Sequence, residues 1–447
     1  MTIDRSLIWL AVLAACLPSV GRAEPNGLER IEHIVVIYLE NRSFDNLFGL
    51  FPGVNGLADA GNAPPQVDAY GRAYKILPPV MKSGGKDSRF PDDLPNAPFD
   101  VSRYVKPEEK HPDLTHRFFI HQVQINGGRN DRFAQLSSAG GLAMGHYDLS
   151  NSALWYYAKE FTLADNFFQA AFGGSFLNHH WLICACTPVF PDAPAELRQW
   201  KNDPITGKPL NDPSVTEDGY AVGTFQPYYP PFDTAHPENR LPPQYQTTIG
   251  DRLSEKRISW AWYAGGWNDA VAGRKTEDNF QYHHQPFVFY ANYAPEQPAR
   301  AEHLRDKSRL FDDLKGDFPR VAFFKAVGGK NQHPGYASVS EADQEVKELV
   351  EAIRGSTIWP NTAIIITYDE NGGFWDHVAP PEIDRWGPGT RIPAIVVSPF
   401  AKKGYVDHTL YDTTSILKLI ENRFGLLPLT DRDAKANGLE GAFDFDR

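Results

Sequence analysis

Three cysteines in 447 residues leave little scope for covalent cross-linking. Cys16 lies in an N-terminal stretch read as a leader, so the body of the chain holds only Cys184 and Cys186. Two apart on an expected helix, their side chains diverge, which argues against a disulfide framework even in an oxidising compartment. Positive charge is also scarce. The chain has 44 Lys and Arg against 56 Asp and Glu, a net charge of -12, the wrong sign for displacing counterions from a nucleic acid. Beyond the leader no apolar run is long enough to span a bilayer. There is no internal repeat and no Gly-x-Gly-x-x-Gly nucleotide fingerprint. What remains is a globular composition, 42% apolar and 22% charged, whose 36 glycines and 36 prolines predict long structured loops around a modest number of regular elements.

Residues 1–23 read as a secretory signal: Arg5, the apolar run Leu7–Leu17, and small residues in Gly21-Arg22-Ala23. Cleavage after Ala23 is the preferred reading, which makes the protein periplasmic or secreted. Leu13-Ala14-Ala15-Cys16 also resembles a bacterial lipobox, which would leave Cys16 as a lipidated N-terminus. Residues 24–447 are expected to form a single domain, with a Pro-, Asp- and Tyr-rich insertion around 188–246 partly covering the site.

The most informative stretch is Ala363–Pro381, AIIITYDENGGFWDHVAPP. Its apolar, β-rich start predicts a buried parallel strand ending on Asp369 and Glu370, with Asn371-Gly372-Gly373 turning the chain. Ile31–Leu39 predicts a second central strand, ending on Glu40 and Asn41, with Ser43 or Asp45 capping a short helix. Two strands that deliver oxygen ligands to one edge can build a hard-cation site. Asp376 and His377 divide evenly between ordering this loop and supporting the metal ligands. Val321–Lys325, a helix from Ser340, and Thr362–Thr367 form a βαβ unit, which implies parallel strands.

Gly173-Gly174-Ser175 opens a helix with Phe176, Leu177 and Trp181 on its apolar positions. Ser175 there is either an N-cap or a nucleophile, since a helix N-terminus stabilises a phosphate oxyanion and Asn178 one turn on can donate to it. His116 is expected near the first turn of another helix, capped by Asp113 or Thr115, and His121 is read as structural. His333 falls in a Gly-rich loop at the same edge. His283 and His284 are expected on an extended segment, with one of them, His284, facing the site.

As a set, Glu40-Asn41-Arg42-Ser43-Phe44-Asp45, Gly174–Asn178, and Asp369–Val378 with its prolines resemble the bacterial acid phosphatase and non-specific phospholipase C family. The resemblance covers nearly all of the chain after the leader, including Asp412-Thr413-Thr414-Ser415. It implies an α/β fold of the alkaline phosphatase kind, a mixed, mainly parallel central sheet flanked by helices, and phosphate-ester hydrolysis through a covalent intermediate. It also implies Glu40, Asn41, Asp369, Glu370 and Ser175 as ligands of a divalent ion (Mg, Mn, Ca or Zn). Ser175 becomes the nucleophile, while His116, Asn178, His284 and His333 hold phosphoryl oxygens or protonate the leaving group. Phospholipase C members carry Thr-x-Pro-Asn-Arg where this chain has Ser175-Phe176-Leu177-Asn178-His179, which favours the acid phosphatase branch. The expected partner is a phosphate ester, either a small molecule or a phospholipid. A phosphomonoesterase, a phospholipase C and a non-catalytic phosphate-binding protein are the three functions in view.

Overall fold

The computed structural model describes residues 27–202, 209–276 and 279–446. The expected signal segment 1–23, Cys16 within it, and Asp278 at the start of the His283–His284 stretch lie outside these residues.

Among the described residues, eight strands form the main sheet. They are β1 (His33–Leu39), β2 (Thr162–Ala164), β3 (Trp260–Ala264), β4 (Leu304–Asp306), β5 (Val321–Lys325), β6 (Thr362–Tyr368), β7 (Ala394–Val397) and β8 (Tyr405–Asp407). Their order is β4-β3-β5-β1-β6-β7-β2-β8. Only β7 runs against its neighbours; the other pairings are parallel. The sheet is therefore mixed and mainly parallel, as expected. The apolar runs explain its centre: Ile34–Leu39 and Thr362–Tyr368 are buried throughout, each Ile or Val contributing about 1.5–3 kcal/mol by leaving water.

The helices that matter for the site are α1 (Phe44–Phe48), α2 (Phe118–Ile125), α3 (Ala153–Glu160), α4 (Ser175–Cys184), α5 (Val339–Arg354) and α6 (Thr414–Phe424). The βαβ unit β5–α5–β6 has parallel strands, but β1 lies between them and pairs with both. The start of α5 shifts from the expected Ser340: its capping box joins Ser338 to Glu341. Ser43 caps α1 as expected, accepting from the Asn46 amide. Among the described residues no helix is long and apolar enough to cross a membrane.

Three local expectations are corrected. Cys184 and Cys186 form a disulfide. Ala185, at φ 47, ends α4 in the left-handed conformation, so Cys186 leaves the helical path and its side chain can turn back to Cys184. His116 precedes its helix rather than sitting in the first turn, because neither expected cap is available. The Asp113 carboxylate takes the Leu114 amide, and the Thr115 hydroxyl takes the Ser138 amide. The carboxylate at the start of α2 is instead Asp212, which accepts from the Phe119 and Ile120 amides at 3.0 and 3.4 Å. Finally, His283 and His284 sit on a 3-10 turn, Tyr282–His284. Without strand alternation both rings approach the same region, 4.8 Å apart between centroids.

Candidate active site

Register brings the charged strand ends together. Leu39 lies beside Tyr368 and Ile37 beside Phe324, so Glu40, Lys325 and Asp369 all leave the sheet at its carboxyl edge, where open α/β sheets place their ligands. The two carboxylate-bearing turns are hydrogen-bonded to each other. The Asn41 amide donates to Asp369 Oδ1 at 3.1 Å and the Arg42 amide to the Glu370 carbonyl at 2.9 Å. Asn41 takes a positive φ of 66°, a conformation asparagine tolerates better than most residues. Gly372, at φ 63°, passes so close to it that a Cβ would stand 2.2 Å from the Asn41 carbonyl oxygen.

Ser175 is the first residue of α4, and the N-cap is Gly174. The hydroxyl is thus not spent on capping. It donates to Asn41 Oδ1 at 3.1 Å, with Glu370 Oε1 at 3.5 Å. His116 completes this corner. Its Nδ1 donates to the Leu114 carbonyl at 2.6 Å, leaving Nε2 to face the Asn41 amide nitrogen at 3.3 Å and Glu370 Oε1 at 3.7 Å. His333 is fixed in the same way by the Pro334 carbonyl, its ring 5.6 Å from that of His116 and stacked on Tyr336.

A second corner gathers around Glu40. Its Oε1 meets Lys325 Nζ at 2.8 Å and His284 Nε2, and its Oε2 accepts the Tyr336 hydroxyl at 3.1 Å. His179, one helical turn after Ser175, donates from Nδ1 to the Ser175 carbonyl at 2.7 Å and lies 3.8 Å from Asp369 Oδ2, linking the corners. Glu40, His179 and His284 can together offer three ligand atoms to a metal.

Charge decides what these groups can hold. Asp369 and Glu370 are fully buried. Burial, with the Glu40 charge added, pushes Asp369 up to about 7. Burial and the neighbouring Asp369 charge push Glu370 well above the usual carboxylate range. Burial opposes the Glu40 charge too, but His284 and the Lys325 ammonium outweigh it and hold this carboxyl well below the ordinary value. Burial also lowers the pKa of His179, His283, His284 and His333. The Asn41–Asp369–Glu370 corner is therefore short of positive charge. Its donors are carboxylate and amide oxygens, and Asp369 Oδ2 has no hydrogen-bond partner, a set that fits a hard divalent cation.

A cavity of about 560 Å³ opens over Ser175, His116, His283, His333 and Tyr336, with Asp212 on its wall. Asn178 does not face it. This side chain is buried and hydrogen-bonded to the Ala171, Gly173 and Gly174 carbonyls, with its Oδ1 taking the Ala171 amide. It shapes the turn before Ser175. His121 does related work, accepting the Gly173 amide at 3.0 Å. Asp376 and His377 belong to a clasp beneath the site. Asp45 takes the His377 amide and ring nitrogen, while Arg391 reaches both Asp45 and Asp376. With Arg391 already between the carboxylates, this group orders the loop. Sequence reasoning missed Lys325, His179, His283 and Tyr336. The usable signal was a lysine closing an apolar strand at the edge where the acids emerge.

The chain matches the Phosphoesterase family over residues 31–427 and belongs to it. Among individual relatives, it is 25% identical to the non-hemolytic phospholipase C of Pseudomonas aeruginosa, over 99% of this chain and 61% of that protein. It is 26% identical to phospholipase C A of Mycobacterium tuberculosis, over 94% of this chain and 78% of that protein. It thus spans about three-fifths of the first relative's length. An alkaline phosphatase superfamily protein from Vibrio parahaemolyticus superposes at a TM-score of 0.35 with 11% identity, covering 64% of this chain and 62% of that one, too low to bear on the function.

Proposed function

We propose that the protein is an exported, metal-dependent phosphoric-ester hydrolase that transfers the phosphoryl group to Ser175. The observation that carries this reading is the Ser175 hydroxyl: it opens a helix, is free of capping, and is aimed at Asn41 and Glu370 across the mouth of an electron-rich cage. Asn41, Asp369, Glu370 and the Ser175 hydroxyl are the groups that would hold the ion, with Glu40 on the adjoining strand end. A divalent ion there supplies Lewis acidity and charge neutralisation.

The chain's own residues do the rest. The amides at the start of α4 favour a phosphoryl oxygen. His116 and His333, each with Nδ1 held by a carbonyl, present Nε2 toward the cavity. A proton on either Nε2 would serve the departing alcohol. Attack by Ser175 Oγ, which gives up its proton to solvent, forms phosphoserine as the phosphorus–oxygen bond to the alcohol breaks and the alcohol leaves protonated; water then cleaves the phosphoserine to phosphate and the Ser175 hydroxyl.

Ser175-Phe176-Leu177-Asn178-His179, in place of the Thr-x-Pro-Asn-Arg of phospholipase C members, supports phosphomonoesters as the substrate class. The names of the relatives support a second reading, a phospholipase C acting on phosphodiesters. Turnover of p-nitrophenyl phosphate and p-nitrophenylphosphorylcholine, compared over a pH series with and without chelator, separates them. Preference for the monoester supports the first reading, and preference for the diester the second. Turnover of neither would leave a phosphate-binding protein.

A further inference from the structure

The Glu40 corner holds an unusual set of buried groups. Glu40, His179, His284, Lys325 and Asp369 are each at most 1% exposed. Glu40 Oε1, His179 Nε2, both ring nitrogens of His284, Lys325 Nζ and Asp369 Oδ2 all lack an aligned hydrogen-bond partner. Polar atoms so deeply buried are ordinarily paired. Glu40, His179 and His284 would by themselves make a nitrogen- and oxygen-donor site for a transition metal. Yet a cation is already there: Lys325 Nζ stands 2.8 Å from Glu40 Oε1, the oxygen that also meets His284 Nε2, and lies over the Tyr38 ring.

We propose that Lys325 is the built-in second cation of this site, holding the Glu40 corner in place of a second metal ion and so limiting the chain to one divalent ion. This rests on the metal-dependent reading above. An ion at Glu40, His179 and His284 would share the Glu40 carboxylate with the ammonium, and like charges at that range in a dry site repel strongly. Lys325 is thus a positioning residue. It fixes Glu40 and sets the ion count.

Native mass spectrometry of the full chain, titrated with Zn²⁺ and separately with Mn²⁺, reads this directly. Wild type and Lys325→Arg are expected to saturate at one ion. Lys325→Met is expected to take up a second Zn²⁺, and adding His284→Ala is expected to return the count to one. Two ions in wild type would overturn the proposal while leaving metal dependence intact, as would a single Zn²⁺ in folded Lys325→Met. Should Lys325→Met fail to fold, the wild-type count still decides. No ion in wild type would instead overturn the metal reading, and this inference with it.

Discussion

Replacing Gly372 by alanine tests whether the two strand ends act as one cage. The position has φ +63°, and an added Cβ would lie 2.2 Å from the Asn41 carbonyl oxygen, 2.7 Å from its carbon and 2.8 Å from the Asn41 Cβ. None of these atoms can rotate away, so one of the two turns must shift by about 1 Å to regain ordinary contact. The positive φ adds about 1 kcal/mol and the overpacking about 1–3 kcal/mol, for a total of about 2–4 kcal/mol. Gly71→Ala is the control, because Gly71 has φ +78° and nothing within 4 Å; only the backbone term of about 1 kcal/mol applies there. Gly372 also donates its amide to Glu370 Oε2 at 2.5 Å, so the shift moves a proposed metal ligand directly. Thermal unfolding, ion affinity by calorimetric titration and kcat/KM would be measured for both variants. Gly372→Ala is expected to unfold at lower temperature than the control and to lose about 100-fold or more in kcat/KM, since a 1 Å misplacement is enough for that. Equal kcat/KM in the two variants would refute the coupling of the Asn41 and Glu370 turns.

Other outcomes follow from the same groups. His121 and His180 are buried, and burial lowers each to about 3. A depressed folded pKa contributes stability that is present above the unfolded value, about 6.5, and is lost as pH falls toward 3, at up to about 1.4 kcal/mol per pH unit per group. Urea unfolding should therefore show lower stability at pH 5 than at pH 7, with a shallower dependence in His180→Gln; an unchanged slope in that variant would count against the assignment. Chelation should abolish turnover and lower the unfolding temperature, because an ion at 100 times its Kd stabilises by about 2.7 kcal/mol. Full activity after exhaustive chelation would remove the metal from the account. Ser175→Ala should lose hydrolysis but unfold within about 1–2 kcal/mol of wild type, since Gly174 is the helix cap and the change removes a single hydroxyl shared between Asn41 and Glu370.

Much of this site could be read from residue order because its main parts are local: an apolar strand followed at once by acids, and two glycines followed by a serine and a helix. Those patterns put Glu40, Asn41, Asp369 and Glu370 just past the ends of central strands in a mainly parallel sheet and Ser175 at the start of a helix, where the structure has them. What could not be read depends on contacts distant in sequence. Lys325 becomes part of the site only because β5 lies beside β1. The start of α2 is set by Asp212, more than ninety residues away, so neither Asp113 nor Thr115 serves as its cap. Asn178 has the spacing for a phosphate donor, yet the tight 171–174 turn takes its amide. The CxC pair failed for a local reason, a left-handed residue at Ala185 where periodicity extended the helix.

The central claim is covalent transfer to Ser175. Rapid acid quenching of the metal-loaded enzyme during turnover of p-nitrophenyl phosphate, or of p-nitrophenylphosphorylcholine if that is the better substrate, followed by peptide mass spectrometry, tests it directly. A phosphoryl adduct (carrying choline in the diester case) on the peptide bearing Ser175, absent from Ser175→Ala, is the predicted result. Undiminished hydrolysis by a correctly folded Ser175→Ala, or an adduct on another residue, would contradict it.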